Sequence, residues 1–397
     1  MKKGFSLLWK LIFVHSFLFS QEKILLTELV KIDFKRLAVS KGRIQEREYL
    51  PAFNQLIKDA DKALLFKPVT VMAKTDIPPS GDKHDYMSIA PYWWPNPNTP
   101  NGIPYIRRDG EINPEVKNSP DKLVLPGLSS SIYHLGLAYY FTGKNEYAAH
   151  ATQLIRVWFL DEKTRMNPNL KYAQSVKGVI EGRAEGVIDT RHFMHIIDAI
   201  SLISNSKAWT SADQSGMVLW VKEFSNWLMT SKIGMEEMNA PNNHGVWFDA
   251  QLLAYAGFLG DTILIQKIHE RVMSRLDKEM DVQGSFPLEM KRTTSLHYSV
   301  FILNAYANLA TRFQQHGLDL WHAKSSSGKS LKLAFDFILP YLLKEKEWTN
   351  PQINAFKEIE ALPVLKKAFS EYGCSSCVGE MKRLAGPAYP SLLMMLL

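Results

Sequence analysis

Hydrophobic residues recur at intervals of three and four along most of the chain, the spacing of one face of an α-helix. A first helix is predicted over residues 44–66. Pro126-Gly127 precedes a second over 128–141, which the turn at 142–145 joins to a third over 146–160. Further helices are predicted over residues 191–203, 211–229, 246–258, 261–276, 296–313, 331–343 and 352–369.

The order of these helices predicts an all-α protein. Turn and N-cap signals, Gly260-Asp261 and Ser211-Ala212-Asp213, separate several neighbours. Successive hairpins without a strict sequence repeat favour an (α/α) toroid or incomplete barrel of helical hairpins, with a long aromatic-rich loop. A solenoid of stacked helix pairs is the competing architecture.

The loop is residues 67–121, where the helical pattern stops. It is crowded with Pro, Gly, Asn and aromatic residues, including Tyr86, Trp93 and Trp94. A long irregular segment inside a domain is usually functional or disordered. Disorder would strand the aromatic rings in water, so we expect an ordered loop across one end of the helical bundle.

The N-terminus has the pattern of a secretory signal peptide. Lys2 and Lys3 precede an apolar run that ends near Phe19, and cleavage is expected near Ser20. A membrane anchor is the alternative, but the run is short and interrupted for a bilayer span. We therefore expect a signal peptide over residues 1–20, one domain over 21–397, and a periplasmic or secreted protein without membrane insertion after signal removal.

The net charge and the cysteine content limit the kinds of ligand and metal site expected for this protein. Removing the three signal lysines lowers the net charge from +7 to about +4, which suits an acidic ligand and is far from a nucleic-acid signature. Cys374 and Cys377 have no second pair to complete a zinc site. A small disulfide of an exported protein, or two idle thiols, are the expected interpretations.

Three segments concentrate polar and aromatic residues. Asn243 and His244 open one predicted helix, and Arg292 and Tyr298 lie at the start of another; the third segment is the loop around Lys83. Each residue also has a structural, non-catalytic interpretation: a structural His, a solvated Arg, a core Tyr, or a Trp pair that packs under a loop. Their occurrence at helix starts favours a shared site, since such ends converge in a toroid.

Elimination from a uronic-acid polymer would use these residue types together. Removing the proton at carbon 5 builds negative charge on the neighbouring carboxylate, which preorganised donors stabilise. Asn243, His244 and Arg292 are suitable donors. A phenol such as Tyr298 needs a cationic neighbour to act as a base. A glycoside hydrolase would need two opposed carboxylates, and acidic candidates exist in Asp85, Asp189, Asp249 and Glu289.

Four motifs together resemble the alginate lyase superfamily, which includes polysaccharide lyase family 5 and the secreted family 38 enzymes acting on alginate or glucuronan. The resemblance covers about residues 60–320, and its motifs are Pro79-Ser-Gly-Asp-Lys-His-Asp-Tyr86, Tyr92-Trp-Trp-Pro95, Asn242-Asn-His-Gly245 and Arg292-Thr-Thr-Ser-Leu-His-Tyr298. The resemblance implies an (α/α) barrel and metal-independent elimination without a cofactor. Gly245-Val246 and the extended aromatic loop depart from family 5.

The resemblance also implies roles for particular residues. Asn243 and His244 match the family's Asn-His pair, Arg292 its carboxylate-binding Arg, and Tyr298 its catalytic Tyr. Arg183 lies in a segment that also looks like the family's, where substrate contact and a structural Arg–Asp pairing remain open. The residues expected to contact the substrate, an anionic polysaccharide, are Lys83, His84, Tyr86, Trp93, Trp94 and Arg183.

Stereochemistry leaves two mechanisms open. In mannuronate and glucuronate the departing proton and oxygen lie on one face, so Tyr298 would be both base and acid, with His244 assisting. In guluronate they lie on opposite faces, which would require His244 as base and Tyr298 as acid. An α/α-barrel hydrolase and a non-catalytic surface glycan-binding protein are the alternatives to a lyase.

Overall fold

The structure is a computed structural model that describes residues 34–47 and 49–385; the predicted signal peptide lies outside them. Helices make up most of this part of the chain. The N-terminal half contains α1 (Phe34–Arg43), α2 (Leu50–Ala63), α3 (Pro120–Thr142), α4 (Asn145–Ile155), α5 (Phe193–Ile203) and α6 (Ser211–Thr230). It is followed by α7 (Lys232–Met238), α8 (Asn243–Leu259), α9 (Thr262–Glu279), α10 (Pro287–Met290), α11 (Ser295–Gln315), α12 (Leu331–Leu342), α13 (Leu362–Tyr372) and α14 (Ser376–Ala385).

Most predicted helices form, and two of the departures from the prediction have packing explanations. Helix α3 begins before Pro126 rather than after it, and Gly127 packs so closely that an added Cβ would lie 3.1 Å from the Phe66 ring. The helix predicted over 352–369 begins only at Leu362. Residues 351–353 instead pair with the start of α11, where Pro351 O accepts from Ser295 N at 2.9 Å. Tertiary contacts override the local pattern at both places.

The loop over residues 67–121 is ordered, as expected, and contains strands that the helical pattern did not predict. Strand β1 (Met87–Ile89) pairs in parallel with β4 (Tyr172–Ser175). Strand β2 (Trp93–Trp94) pairs antiparallel with β3 (Ile106–Arg107), which places Trp93 opposite Arg107. These two small sheets hold the loop in a defined conformation.

Four helices, α3, α5, α8 and α11, surround one axis. Arg312 of α11 is fully buried and interacts electrostatically with Asp198 of α5, Tyr255 of α8 and Tyr133 of α3. A straight solenoid would separate α3 from α11, because each repeat of a solenoid contacts only its neighbours. The meeting of four helices at Arg312 therefore favours the toroid over the solenoid.

The core lies between paired helices. Helix α3 packs against α4 and α5, and α8 packs against α9 and α11. A Cβ added at Gly136 of α3 would lie 3.1 Å from Ala199 of α5, so these two helices approach closely. Near the C-terminus, Cys374 and Cys377 form a disulfide. None of the helices over residues 34–47 and 49–385 is long and apolar enough to span a membrane.

Candidate active site

Tyr298 and Arg292 are in direct contact. Tyr298 lies in the first turn of α11, only 6% exposed, and the Arg292 guanidinium carbon is 3.5 Å from the centre of its ring. The Tyr298 hydroxyl shares a hydrogen bond of 2.9 Å with the hydroxyl of Tyr92, from the aromatic loop. The loop thus reaches the phenol that the sequence singled out.

Burial has the largest effect on the pKa of the Tyr298 phenol. Burial raises the pKa of Tyr298 above its usual value, Tyr92 raises it further, and Arg292 lowers it. A buried phenolate loses hydration, which the nearby guanidinium only partly replaces. Arg292 acts in the expected direction, but burial outweighs its effect in this structure.

Arg292 is itself held by the loop. Its Nε and Nη2 donate to the two carboxylate oxygens of Asp109 at 3.0 and 2.8 Å. Burial alone would raise the pKa of Asp109, but the hydrogen bonds and charge of Arg292 lower it to about 2. Thr293 also donates to Asp109, through its backbone N and its hydroxyl. Asp109 therefore orients the guanidinium expected to bind a sugar carboxylate.

Asn243 begins α8 and is fully buried. Its backbone N donates to Glu289 at 2.7 Å, and its side-chain Nδ2 lies 3.0 Å from both Glu289 carboxylate oxygens. A carboxylate only accepts hydrogen bonds, so the amide hydrogens face Glu289 and Oδ1 is left to interact elsewhere. The expectation that Asn243 donates to the substrate therefore does not match the amide orientation seen here.

His244, the next residue, is partly exposed and pairs with a buried acid. Its Nδ1 lies 2.7 Å from Oε1 of Glu237, which is 1% exposed at the end of α7. Burial opposes a charge on His244, but the Glu237 carboxylate raises its pKa above the usual value. Burial raises the pKa of Glu237 as well, against the opposing effect of His244.

Electrostatic contacts join the two segments into one site. Glu289, hydrogen-bonded to Asn243, interacts with both Arg292 and His244. Glu237, hydrogen-bonded to His244, interacts with Arg183. Arg183 also lies over Trp93, its guanidinium carbon 5.8 Å from the ring centre. Since Trp93 adjoins Tyr92, which bonds Tyr298, these interactions connect both helix starts with the aromatic loop.

Arg183 does not form the Arg–Asp pair that the sequence left open. It lies 3.1 Å from Glu185 and donates to Gln174 at 3.2 Å. Asp189 instead forms an ion pair with Lys122 at 2.9 Å. The Nε of Arg183 is buried without a hydrogen-bond partner among the described residues. Its position between Glu237 and Trp93 is compatible with substrate contact.

The two loop tryptophans are half-buried. Trp93 Nε1 is buried without a hydrogen-bond partner in the described part of the chain, and Trp94 Nε1 donates to the Glu111 carbonyl at 3.0 Å. The Arg108 guanidinium carbon is 5.2 Å from the Trp94 ring centre. Neither ring is fully buried, so both retain surface for a ligand.

Of the three other residues expected at the substrate, Tyr86 packs inside the loop, and His84 and the backbone of Lys83 make hydrogen bonds near it. Tyr86 is fully buried, and its hydroxyl donates to Asp189 at 3.2 Å. A phenol without exposed surface offers a polymer no contact, so we assign Tyr86 to the loop's packing. His84 Nδ1 bonds the Arg165 carbonyl at 2.6 Å, and the Lys83 carbonyl accepts from Lys74 at 2.7 Å. These contacts lie in the part of the loop anchored to residues 165–167.

The four acidic residues that would suit a hydrolase all have hydrogen-bond or ion-pair partners. Glu289 holds Asn243, and Asp249 holds Arg271 and Arg275. Asp85 and Asp189 accept hydrogen bonds within the loop's packing. Among the described residues these four carboxylates thus have structural partners, which does not favour the hydrolase.

Sequence reasoning missed the partners of the predicted residues. Glu237 and Asp109 carry no signal, because a buried or half-buried acid looks like a surface acid in a sequence. In the sequence, Glu289 stands out only as a candidate hydrolase carboxylate. Tyr92 lies within the quoted Tyr-Trp-Trp-Pro motif, which was the one available signal for it.

Comparisons with known proteins agree with this fold. The alginate lyase family model matches residues 70–348. The crystal structure of an alginate lyase from Bacteroides ovatus is 38% identical, with a TM-score of 0.87 over 93% of this chain and 98% of that one. Curated protein sequences give no match. The chain belongs to the alginate lyase family.

A more distant structure shares the fold. Alginate lyase A1-III from Sphingomonas species A1 is 17% identical, with a TM-score of 0.59 over 89% of this chain and 91% of that one. A histidine-to-alanine variant of A1-III in complex with a tetrasaccharide is similar at 16% identity, TM-score 0.59, over 89% of this chain and 90% of that one. The architecture is thus the helical toroid of alginate lyases.

Proposed function

We propose that this protein is a polysaccharide lyase that cleaves alginate, or a related uronic-acid polymer such as glucuronan, by β-elimination. The proton at carbon 5 is removed, the bond from carbon 4 to the glycosidic oxygen breaks, and that oxygen takes up a proton. The product carries a double bond between carbons 4 and 5. Family membership supports the reaction, and the contact between Arg292 and Tyr298 is the observation that carries it.

In this proposal Tyr298 transfers the proton. The Arg292 guanidinium against its ring stabilises a phenolate, and a substrate carboxylate near Arg292 would gain a charge-assisted hydrogen bond. His244 adds a donor or a base through its Nε2. Trp93, Trp94 and Arg183 contact neighbouring sugars, because half-buried rings and a cation suit an anionic polysaccharide.

One assay on three polymers tests the reaction and its stereochemistry. Pure polymannuronate, polyguluronate and glucuronan are each incubated with the protein, and the conjugated double bond is followed by ultraviolet absorbance. A product that lacks this absorbance would indicate hydrolysis. Product from polyguluronate requires proton removal and donation on opposite faces, whereas product from the other two allows Tyr298 to do both.

The central variant is Tyr298→Phe, which removes only the hydroxyl. We expect it to abolish elimination while the thermal unfolding midpoint and the binding of polymer stay close to wild type. Tyr341→Phe, a half-buried tyrosine of α12 outside the site, is the matched control and should remain active. Full activity of Tyr298→Phe would contradict the proposed site.

We also propose that the protein is exported. The N-terminal pattern motivates this proposal, and the Cys374–Cys377 disulfide supports it, since disulfides persist mainly in oxidising compartments. Mass spectrometry of native protein should find an N-terminus near Gln21. An intact Met1 on purified native protein would refute the proposal.

A further inference from the structure

Glu237 is placed beside His244 by a short, closely packed helix. Helix α7 packs closely on the end of α6: a Cβ added at Gly234 would lie 2.0 Å from the Leu228 carbonyl oxygen. The Glu237 side chain at the far end of α7 is buried, and its second oxygen, Oε2, has no hydrogen-bond partner among the described residues. Oε1 therefore makes the observed hydrogen bond of this carboxyl, to His244.

This contact decides which ring nitrogen of His244 can act. An ionised Glu237 accepts but does not donate hydrogen bonds, so with Glu237 ionised the proton between the two groups belongs to Nδ1. The other nitrogen, Nε2, is left for the substrate, and the side chain keeps 17% of its surface exposed. A carboxylate that orients a histidine in this way also stabilises its positive charge.

We propose that Glu237 is a positioning residue for the elimination, which directs Nε2 of His244 to the sugar and sets the charge of the ring. The inference rests on the proposed function, in which His244 acts on the substrate. Glu237 acts only through His244 and is not assigned a contact with the polymer.

The pH dependence follows from the groups that face this pair. Burial lowers the pKa of His244, whereas Glu237 of α7, Glu185 and Glu289 raise it, and the net effect is a raised pKa. Arg183 and Glu185 also interact with Glu237. In Glu237→Gln the hydrogen-bond acceptor remains but the negative charge is gone, so the pKa of His244 falls.

The limb of the pH–rate profile that belongs to His244 must then move to lower pH in either of its roles. If cationic His244 is active, the alkaline limb moves, because activity is lost as the ring deprotonates. If neutral His244 is the base, the acid limb moves, because activity is lost as the ring protonates. The limb that moves therefore identifies the role of His244.

The experiment compares Glu237→Gln with Glu236→Gln. Glu236 is the neighbouring exposed acid on α7, 3.9 Å from Lys232, and serves as the matched control. We expect Glu237→Gln to lower kcat at least about tenfold, with KM changed less than kcat, and to shift one limb to lower pH. Glu236→Gln should keep the wild-type profile.

Nitrogen NMR of the histidine rings in the wild-type protein is independent of any folding defect in the variant. We expect Nδ1 of His244 to carry a proton, and an unprotonated Nδ1 would overturn the inference. An unchanged rate and pH profile in Glu237→Gln would also overturn it. If His244→Ala keeps full activity, the proposed function has assigned the wrong histidine. If His244→Ala is inactive while Glu237→Gln keeps full activity, only the inference about Glu237 fails.

Discussion

At the scale of single residues, the site depends on buried and half-buried acids that orient the groups expected to do chemistry. Asp109 holds Arg292, Glu289 holds Asn243 and Glu237 holds His244. Charge-assisted hydrogen bonds of this kind are stronger than neutral ones and fix geometry. Preorganised groups lose less free energy to reorientation when charge develops on the substrate.

The Asp109–Arg292 pair should make stability depend on acid pH. The folded pKa of about 2 lies below the ordinary 3.8, so the stabilisation is present above pH 4 and is lost as pH falls towards 2. Asp109→Asn should lower the free energy of unfolding at neutral pH by up to about 2 kcal/mol, and the difference should disappear as pH falls through about 2. Denaturant unfolding at several pH values checks this, with exposed Asp319→Asn as control; a pH-independent difference would contradict it.

Trp94 provides a residue-scale test of sugar binding. An aromatic face contributes about 0.5–1.5 kcal/mol to a ring contact, so Trp94→Ala should raise KM on polymer several-fold and lower kcat less. Trp94→Phe keeps an aromatic face and should stay near the wild-type KM. Steady-state kinetics on polymer and on short oligosaccharides would show the effect, and equal KM values for Trp94→Ala and wild type would remove Trp94 from the binding surface.

At the scale of elements, the start of α8 is fixed by packing around Gly245. Arg275 of α9 donates to the carbonyls of Met238 and Ala240, just before Asn243, and pairs with Asp249 of α8. A Cβ added at Gly245 would lie 2.1 Å from the Ala240 carbonyl oxygen and 2.6 Å from Arg275 Nη1. Close packing against Ala240 and Arg275 thus explains the glycine at position 245, where the chain departs from the family 5 pattern.

Gly245→Ala should therefore disturb both stability and catalysis. Overpacking of this kind costs roughly 1–3 kcal/mol, and displacement of the neighbouring His244 should lower kcat. Gly257→Ala is the matched control in the same helix, because its nearest added contact is an ordinary 3.4 Å to His316. Thermal unfolding and kinetics should separate the two variants, and equal behaviour would show that the start of α8 tolerates a side chain.

At the scale of the whole molecule, helical hairpins closed around an axis bring two distant segments to one site. Asn243 and His244 come from the start of α8, and Arg292 and Tyr298 from the start of α11. The loop over residues 67–121 crosses the same end through Tyr92 and Asp109. Three parts of the chain thus share one cluster.

Metal dependence is a property to test on the whole protein. Over residues 34–47 and 49–385, no group of three or more His, Cys, Asp or Glu side chains is placed to hold a metal ion. We expect elimination to survive chelator treatment and dialysis, because the proposed stabilisation of the carboxylate uses Arg292 and His244. Loss of activity that a single divalent ion restores would refute this expectation.

The sequence by itself determined the helical class, most helix positions and the two helix starts that carry the proposed chemistry. Period, capping and turn residues are local properties that a sequence displays directly. Only the tertiary structure decided that Tyr86 is buried, that Arg292 pairs with Asp109, and that Glu237 lies against His244. These pairings join residues that are distant in sequence or on separate helices, and burial depends on what packs above a residue, which no local pattern encodes.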